Sequence, residues 1–111
     1  MVARILDPGQ FSARLDLEMR SDTGDGQGGV VTAYAVTGSV WARIEPVAVE
    51  VGEVADEAGF AVTHRIWIRF RNDIGAGMRF RKGGRVFVIR AFSDPDETRR
   101  YLVCRCTEEG R

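Results

Sequence analysis

The sequence predicts a mainly β fold: a small antiparallel β-barrel or sandwich of about six strands, with long loops and at most one short helix. Three observations carry that expectation. Apolar and polar residues alternate with period two in short runs, most clearly over 61–71. A Gly83-Gly84 pair separates two such runs by the two residues a tight hairpin needs. Most other breaks are rich in glycine, aspartate and proline, and only 47–60 approaches helical spacing. At 111 residues the chain is expected to form one domain, 1–111, around a single modest core.

In chain order, "ARLDLEM" at 13–19 places Ala13, Leu15, Leu17 and Met19 on one face, with Arg14, Asp16 and Glu18 opposite, which predicts a half-buried strand. "SDTGDGQGG" at 21–29 has four glycines and small polar residues that cannot pack a core, so a flexible loop is expected. Residues 30–45 hold strand material, with a bulge or bend expected at Gly38 and an end at Pro46. Residues 46–60 read either as a long acidic loop or as a short helix, the latter weakened by Gly52 and Gly59. In the strand over 61–71, Val62, His64, Ile66, Ile68 and Phe70 share one face, and Thr63, Arg65, Trp67, Arg69 and Arg71 the other. Strands at 78–82 and 86–92 flank the Gly-Gly turn. "SDPDETRR" is a loop, and 101–107 is the last strand.

Composition narrows the function without naming it. The chain has 16 basic and 16 acidic residues, so bulk charge selects no partner. The charges are nevertheless segregated. From Arg65 to Arg90 there are eight basic residues and one acid, Asp73; from Ile44 to Glu57 there are five acids and no base. Such poles suit head-to-tail association around a ring, or a domain with two differently charged faces. No secretory signal is visible, and no run approaches the roughly 18 apolar residues that span a bilayer, so no membrane partner is expected. Cys104 and Cys106 are two apart, poor geometry for a disulfide, and read as packed free thiols in a reducing cytoplasm.

The inventory for catalysis is poor, and no enzyme is expected. The one histidine, His64, is in phase with an apolar strand face. A Cys104–Cys106–His64 metal site lacks a fourth ligand and the usual spacing. No G-x-S-x-G, P-loop or H-E-x-x-H motif occurs. Asp94 and Asp96 flank Pro95 and read as turn chemistry. No cofactor or metal is expected.

"RFRKGGRVFVIR" at 79–90 holds most of the remaining signal. Should the strand over 61–71 pair with that over 78–82, then Arg65, Trp67, Arg69, Arg71, Arg79 and Arg81 would form one outer basic stripe. An independent nucleic-acid-binding barrel would use such arginines on phosphate, with Trp67 interleaved for stacking. A solvated face that repels edge pairing is the plainer alternative.

A further signal is the order of short pieces along the chain. "GGVVTAYAVTGSVWARIEPV" and "VTHRIWIRFRNDIGAGMRFRKGGRVFVIRAFSDPDETRRYLVCRCTE" carry Trp-Ala-Arg-x-Glu-Pro, Thr-His-Arg-Ile, Gly-Met-Arg, Gly-Gly-Arg-x-Phe-x-Ile and Asp-Pro-Asp-Glu. Each is weak alone. Their ordered set over 28–109 resembles the head-tail joining proteins of tailed bacteriophages and of phage-like gene transfer agents, the adaptor, stopper and head completion group. The resemblance implies a non-enzymatic β-barrel with extended loops. It implies a ring, usually six-fold with an often monomeric isolated subunit, between the portal-bound adaptor ring and the tail terminator or tail tube proteins. That ring would extend or close the channel for packaged double-stranded DNA in the particle, after assembly in the bacterial cytoplasm. By position, 46–60 falls at the family's channel loop, so Glu45, Glu50, Glu53, Asp56 and Glu57 would approach the bore, where acids repel phosphate and favour sliding over sticking. The segment 21–29 falls where the family has a loop reaching neighbouring components. The arginine stripe would then meet acidic surfaces of adjacent subunits.

Overall fold

The computed structural model describes residues 8–51, 61–75 and 77–110. A 3-10 turn at Pro8–Gln10 precedes six strands: β1 (Ala13–Gly24), β2 (Val30–Val51), β3 (Ala61–Arg69), β4 (Arg79–Lys82), β5 (Arg85–Ser93) and β6 (Tyr101–Glu108). All pairings are antiparallel, and the order β1-β2-β3-β6-β5-β4 closes into a barrel through β1 and β4. The mainly β expectation and the six strands hold. Among the described residues the 3-10 turn is the only helical segment.

The alternation read from the sequence decides what fills the barrel. Leu15, Leu17, Ile66, Ile68, Phe80, Phe87, Ile89, Cys104 and Cys106 are fully buried inside it. Burial of each large apolar side chain favours folding by about 1.5–3 kcal/mol. A second, smaller cluster lies outside the wall. Phe11, Trp67 and Val103 are buried together, with Tyr101 packed against them and its ring centroid 5.4 Å from that of Phe11. The segment before β1 therefore covers part of the outer surface of β3 and β6.

Two boundaries differ from expectation, each for a physical reason. Residues 21–24, expected to begin a flexible loop, continue β1, which pairs with β2 as far as Gly24 opposite Val30. Only 25–29 turn. Asp25 closes that turn by accepting the backbone N–H of Gln27 at 2.7 Å and of Gly29 at 3.0 Å, while Gly26 and Gly28 supply the left-handed φ values of 82° and 84°. The β-branched run Val30, Val31, Thr32 gives the short polar strand a partner it can follow.

Nor does Pro46 end β2, which runs on to Val51 with a register irregularity between Pro46 and Glu50. β1 reaches only to Ala42, so beyond it no described strand pairs with β2 on its β1 side, and at such an edge a missing proline donor is tolerated. Of the segment expected to be an acidic loop or helix, 46–51 is strand and 52–60 lies outside the described residues.

In "SDPDETRR" the turn reading holds. Asp94 accepts the backbone N–H groups of Glu97 and Arg99, and these two non-glycine residues adopt φ values of 60° and 63°.

Candidate functional site

At 12 and 22 residues, β1 and β2 are much longer than a small barrel needs. β4 pairs with β1 only over Asp16–Glu18, and β3 meets β2 only from Ala42 onward. Beyond Glu18 and its partner Val36, residues 19–24 and 30–35 therefore project as a two-stranded arm. The described residues span 54 × 30 × 26 Å with a radius of gyration of 14.9 Å, against about 13 Å for a compact chain of this length.

The arm has two unlike faces. On one, Leu15 and Leu17 of the core are followed in phase by Met19, Ser21 and Thr23, opposite Ala35, Ala33 and Val31. The inward face of the barrel thus continues beyond its rim without a charge, and there Met19 is 47% and Val31 55% exposed. The other face carries Glu18, Arg20, Asp22, Thr32, Tyr34 and Val36. Asp22 accepts from Arg20 at 3.0 Å and from Thr32 at 2.8 Å, and these bonds, Arg20's first, hold its carboxyl below the usual range.

A clamp fixes the base of the arm. The β1–β2 register shifts between Leu17 and Glu18, where the ribbon leaves the barrel. Glu18 is buried, 5% exposed, and accepts from Arg79 Nε at 2.5 Å and Arg81 Nε at 3.0 Å. The Arg79 guanidinium also lies 3.5 Å from the ring centroid of Tyr34 on the arm. Burial pushes the Glu18 carboxyl up, but bonding and attraction to Arg79 and Arg81 together outweigh it, leaving the carboxyl below its ordinary value.

This clamp dissolves the single basic stripe. β3 and β4 do not pair; they lie three strands apart in either direction around the barrel. Arg79 and Arg81 are engaged by Glu18. Arg71 makes a two-pronged contact with Asp73 at 2.9 and 2.8 Å. Trp67 is no stacking platform: it is 8% exposed in the outer cluster, and its Nε1–H donates to Glu45 at 3.2 Å. A smaller basic surface remains on β3 and β6. Arg65 stands directly opposite Arg105, with Glu45 across the other seam and Arg69 further along β3.

Of the five acids expected at the bore, two lie on described residues. Glu45 is part of the barrel wall, bonded to Trp67 and 3.7 Å from Arg43. Glu50 stands on β2 opposite Val62, and Glu53, Asp56 and Glu57 lie outside the described residues.

His64 is buried as its strand phase implies. Its ring packs edge-on against Phe87 at 5.1 Å, Nδ1 is 2.9 Å from the Thr63 hydroxyl, and Nε2 is 3.9 Å from Glu108. Glu108 in turn accepts two bonds from Arg85 at 2.8 and 3.0 Å. Cys104 and Cys106 are free and buried. Among the described residues, no group of three or more His, Cys, Asp or Glu is placed to hold a metal ion.

The sequence reading missed the arm and its clamp residues Glu18 and Tyr34. A signal was present: 30–41 runs for twelve residues without a charge or a proline, too long for one crossing of a small barrel.

The comparisons agree with this architecture. Residues 6–109 match the model of the phage head completion protein family. A chain of the virion of a native gene transfer agent particle superposes with a TM-score of 0.64 at 29% identity, over 88% of this chain and 93% of that one. The solution structure of protein SF1141 from Shigella flexneri 2a gives a TM-score of 0.68 at 27% identity, over 96% and 99%. No curated protein matches the chain. With a barrel of this order and a family match covering nearly all of it, the chain belongs to the phage head completion protein family.

Proposed function

We propose that this chain is a structural subunit of the joint between head and tail in a tailed phage or phage-like particle. Family membership supports a structural role in the virion rather than turnover of a substrate. The observation that carries the finer reading is the extended match to a chain of a gene transfer agent virion, on a barrel that bears a projecting arm. In this reading copies form a ring, six-fold in the particle, between the portal-bound adaptor and the tail-side proteins. Ring closure supplies avidity, so weak contacts between copies hold only on the portal template. The ring extends or closes the channel for packaged DNA. The acids of 46–60 approach the bore, and the β3–β6 arginines Arg65, Arg69 and Arg105 face acidic surfaces of neighbours.

The rival, an independent nucleic-acid-binding barrel, loses its main support. Of the five side chains it would use, Arg65, Trp67, Arg69, Arg79 and Arg81, the last two are bound to Glu18 and Trp67 is buried.

Electron microscopy of particles assembled without this chain tests the proposal. The expected result is filled or leaking heads separate from intact tails. Normally joined particles would sink it.

A further inference from the structure

Among the described residues the arm leaves two strand edges unpaired. Beyond Glu18 no described strand pairs with β1 on its β4 side, and before Ala42 none pairs with β2 on its β3 side. Natural edge strands are commonly blunted by charge or proline, because an open edge is a template for another strand. The edge of β2 over 30–41 is blunted by neither; it reads VVTAYAVTGSVW. Its Val30, Val31, Val36 and Trp41 are all more than half exposed. An edge so prone to pairing, on a ribbon clamped to the barrel at its base, is suited to strand addition.

The other edge borders an open groove of about 680 Å³. It lies between Met19, Arg20 and Asp22 of the arm and residues 72–75, 77 and 78, of which Ile74 and Met78 are its apolar members. There β4 stops at Arg79, and the β1 edge goes on alone.

We propose that the occupant of each edge is the arm of a neighbouring copy of this chain, β1 of one copy pairing with β2 of the next. This rests on the reading of the chain as a ring subunit. Direction selects the partner. β1 runs toward the tip and β2 runs back. In copies whose arms point the same way, β1 of one and β2 of the next are antiparallel, the same relation they have within one arm. The two edges differ, so the contact is heterologous and repeats around a ring instead of stopping at a pair. The charge-free faces carrying Met19, Ser21, Thr23, Val31, Ala33 and Ala35 would then join into one uncharged belt, and the faces with Arg20 and Asp22 into the opposite one.

Chains carrying Ser21→Cys and chains carrying Ala33→Cys are assembled together into particles and cross-linked by oxidation. Both positions are exposed on the arm. Ser21 and Ala33 are partners within a chain, so keeping them on separate chains makes every adduct between them intermolecular. The native thiols are buried. The expected product is an adduct of one Ser21→Cys chain with one Ala33→Cys chain. Adducts only between two Ala33→Cys chains would point to a twofold contact and overturn the proposal. So would adducts with a different protein, or none, in particles that join normally. In a second variant, Val31→Lys and Ala33→Lys together place charge on the exposed face without touching the core. Loss of joined particles at an unchanged melting temperature of the isolated chain is expected, and wild-type joining would overturn the proposal. Failure of the head-tail reading itself is seen separately, as normal joining in particles that lack the chain.

Discussion

Arg79 and Glu18 face one another across the β1–β4 seam, Nε to Oε1 at 2.5 Å, with the Arg79 side chain only 15% exposed. The guanidinium is held on its other side by the Tyr34 ring. The arginine-rich strand that looked like a surface for binding anions is therefore the anchor of the arm.

Glu18→Gln removes the charge that compensates two arginines. A stability loss of about 2 kcal/mol is expected at pH 7, below the ~3–5 kcal/mol of a fully buried pair because Arg81 is partly exposed. The folded carboxyl lies below its ordinary value of 4.5, so the stabilisation is present above that value. It is lost as pH falls through the lower, folded one. Urea titrations of both proteins at pH 7 and pH 3 should show a gap that narrows in acid. A gap independent of pH would mean that the charge on Glu18 contributes nothing.

Phe80→Ala empties the barrel centre, where Phe80 faces Phe87 across the β4–β5 hairpin and both are fully buried. The expected loss is about 3–5 kcal/mol, a large part of the stability of a small domain. Trp41→Ala, on a side chain of similar bulk that is 53% exposed, should change stability by about 0.5 kcal/mol or less. Urea midpoints of the two variants distinguish a filled barrel from a hollow one.

The two tryptophans report on different places. With Trp41→Phe, the remaining Trp67 should emit at short wavelength and resist acrylamide quenching, being buried beside Phe11 and Val103. With Trp67→Phe, emission should shift red and quench readily. The loss of the bond to Glu45 should also lower stability by about 1 kcal/mol. Equal quenching in the two variants would show that the segment bearing Phe11 does not cover the barrel wall.

Both thiols should be inert in the folded protein. Burial pushes Cys104 up to about 12 and Cys106 well above its ordinary value, so neither forms thiolate near neutral pH. Reaction with Ellman's reagent at pH 8 should be undetectable until denaturant is added, and then give two equivalents. Prompt reaction of the native chain would contradict the packing of β6.

The sequence by itself determined the class of fold and the inside of the barrel. Period-two alternation depends only on neighbouring residues, so Leu15, Leu17, Ile66, Ile68 and His64 were assignable to the inward face before any strand was paired. The Gly83-Gly84 hairpin and the Asp94 turn were equally legible, because turn chemistry is local. The ordered motifs over 28–109 pointed to the family for the same reason: they are strings, readable without a fold.

What alternation does not contain is which strands are neighbours. The single stripe required β3 beside β4, and closure of the barrel placed those strands on opposite sides. Only that closure brought Arg79 and Arg81 to Glu18, 61 and 63 residues away along the chain, and laid Tyr34 over the same guanidinium. Trp67 alternates with arginines as a surface residue would, yet residues before β1 bury it. Where β3 stops pairing with β2, and β4 with β1, also lies outside local pattern, and that alone turns the continuous strand material of β1 and β2 into a wall for part of its length and a free arm beyond. Pairing partners, and the edges left without one, are set by contacts between distant residues, and these exist only once the barrel has closed.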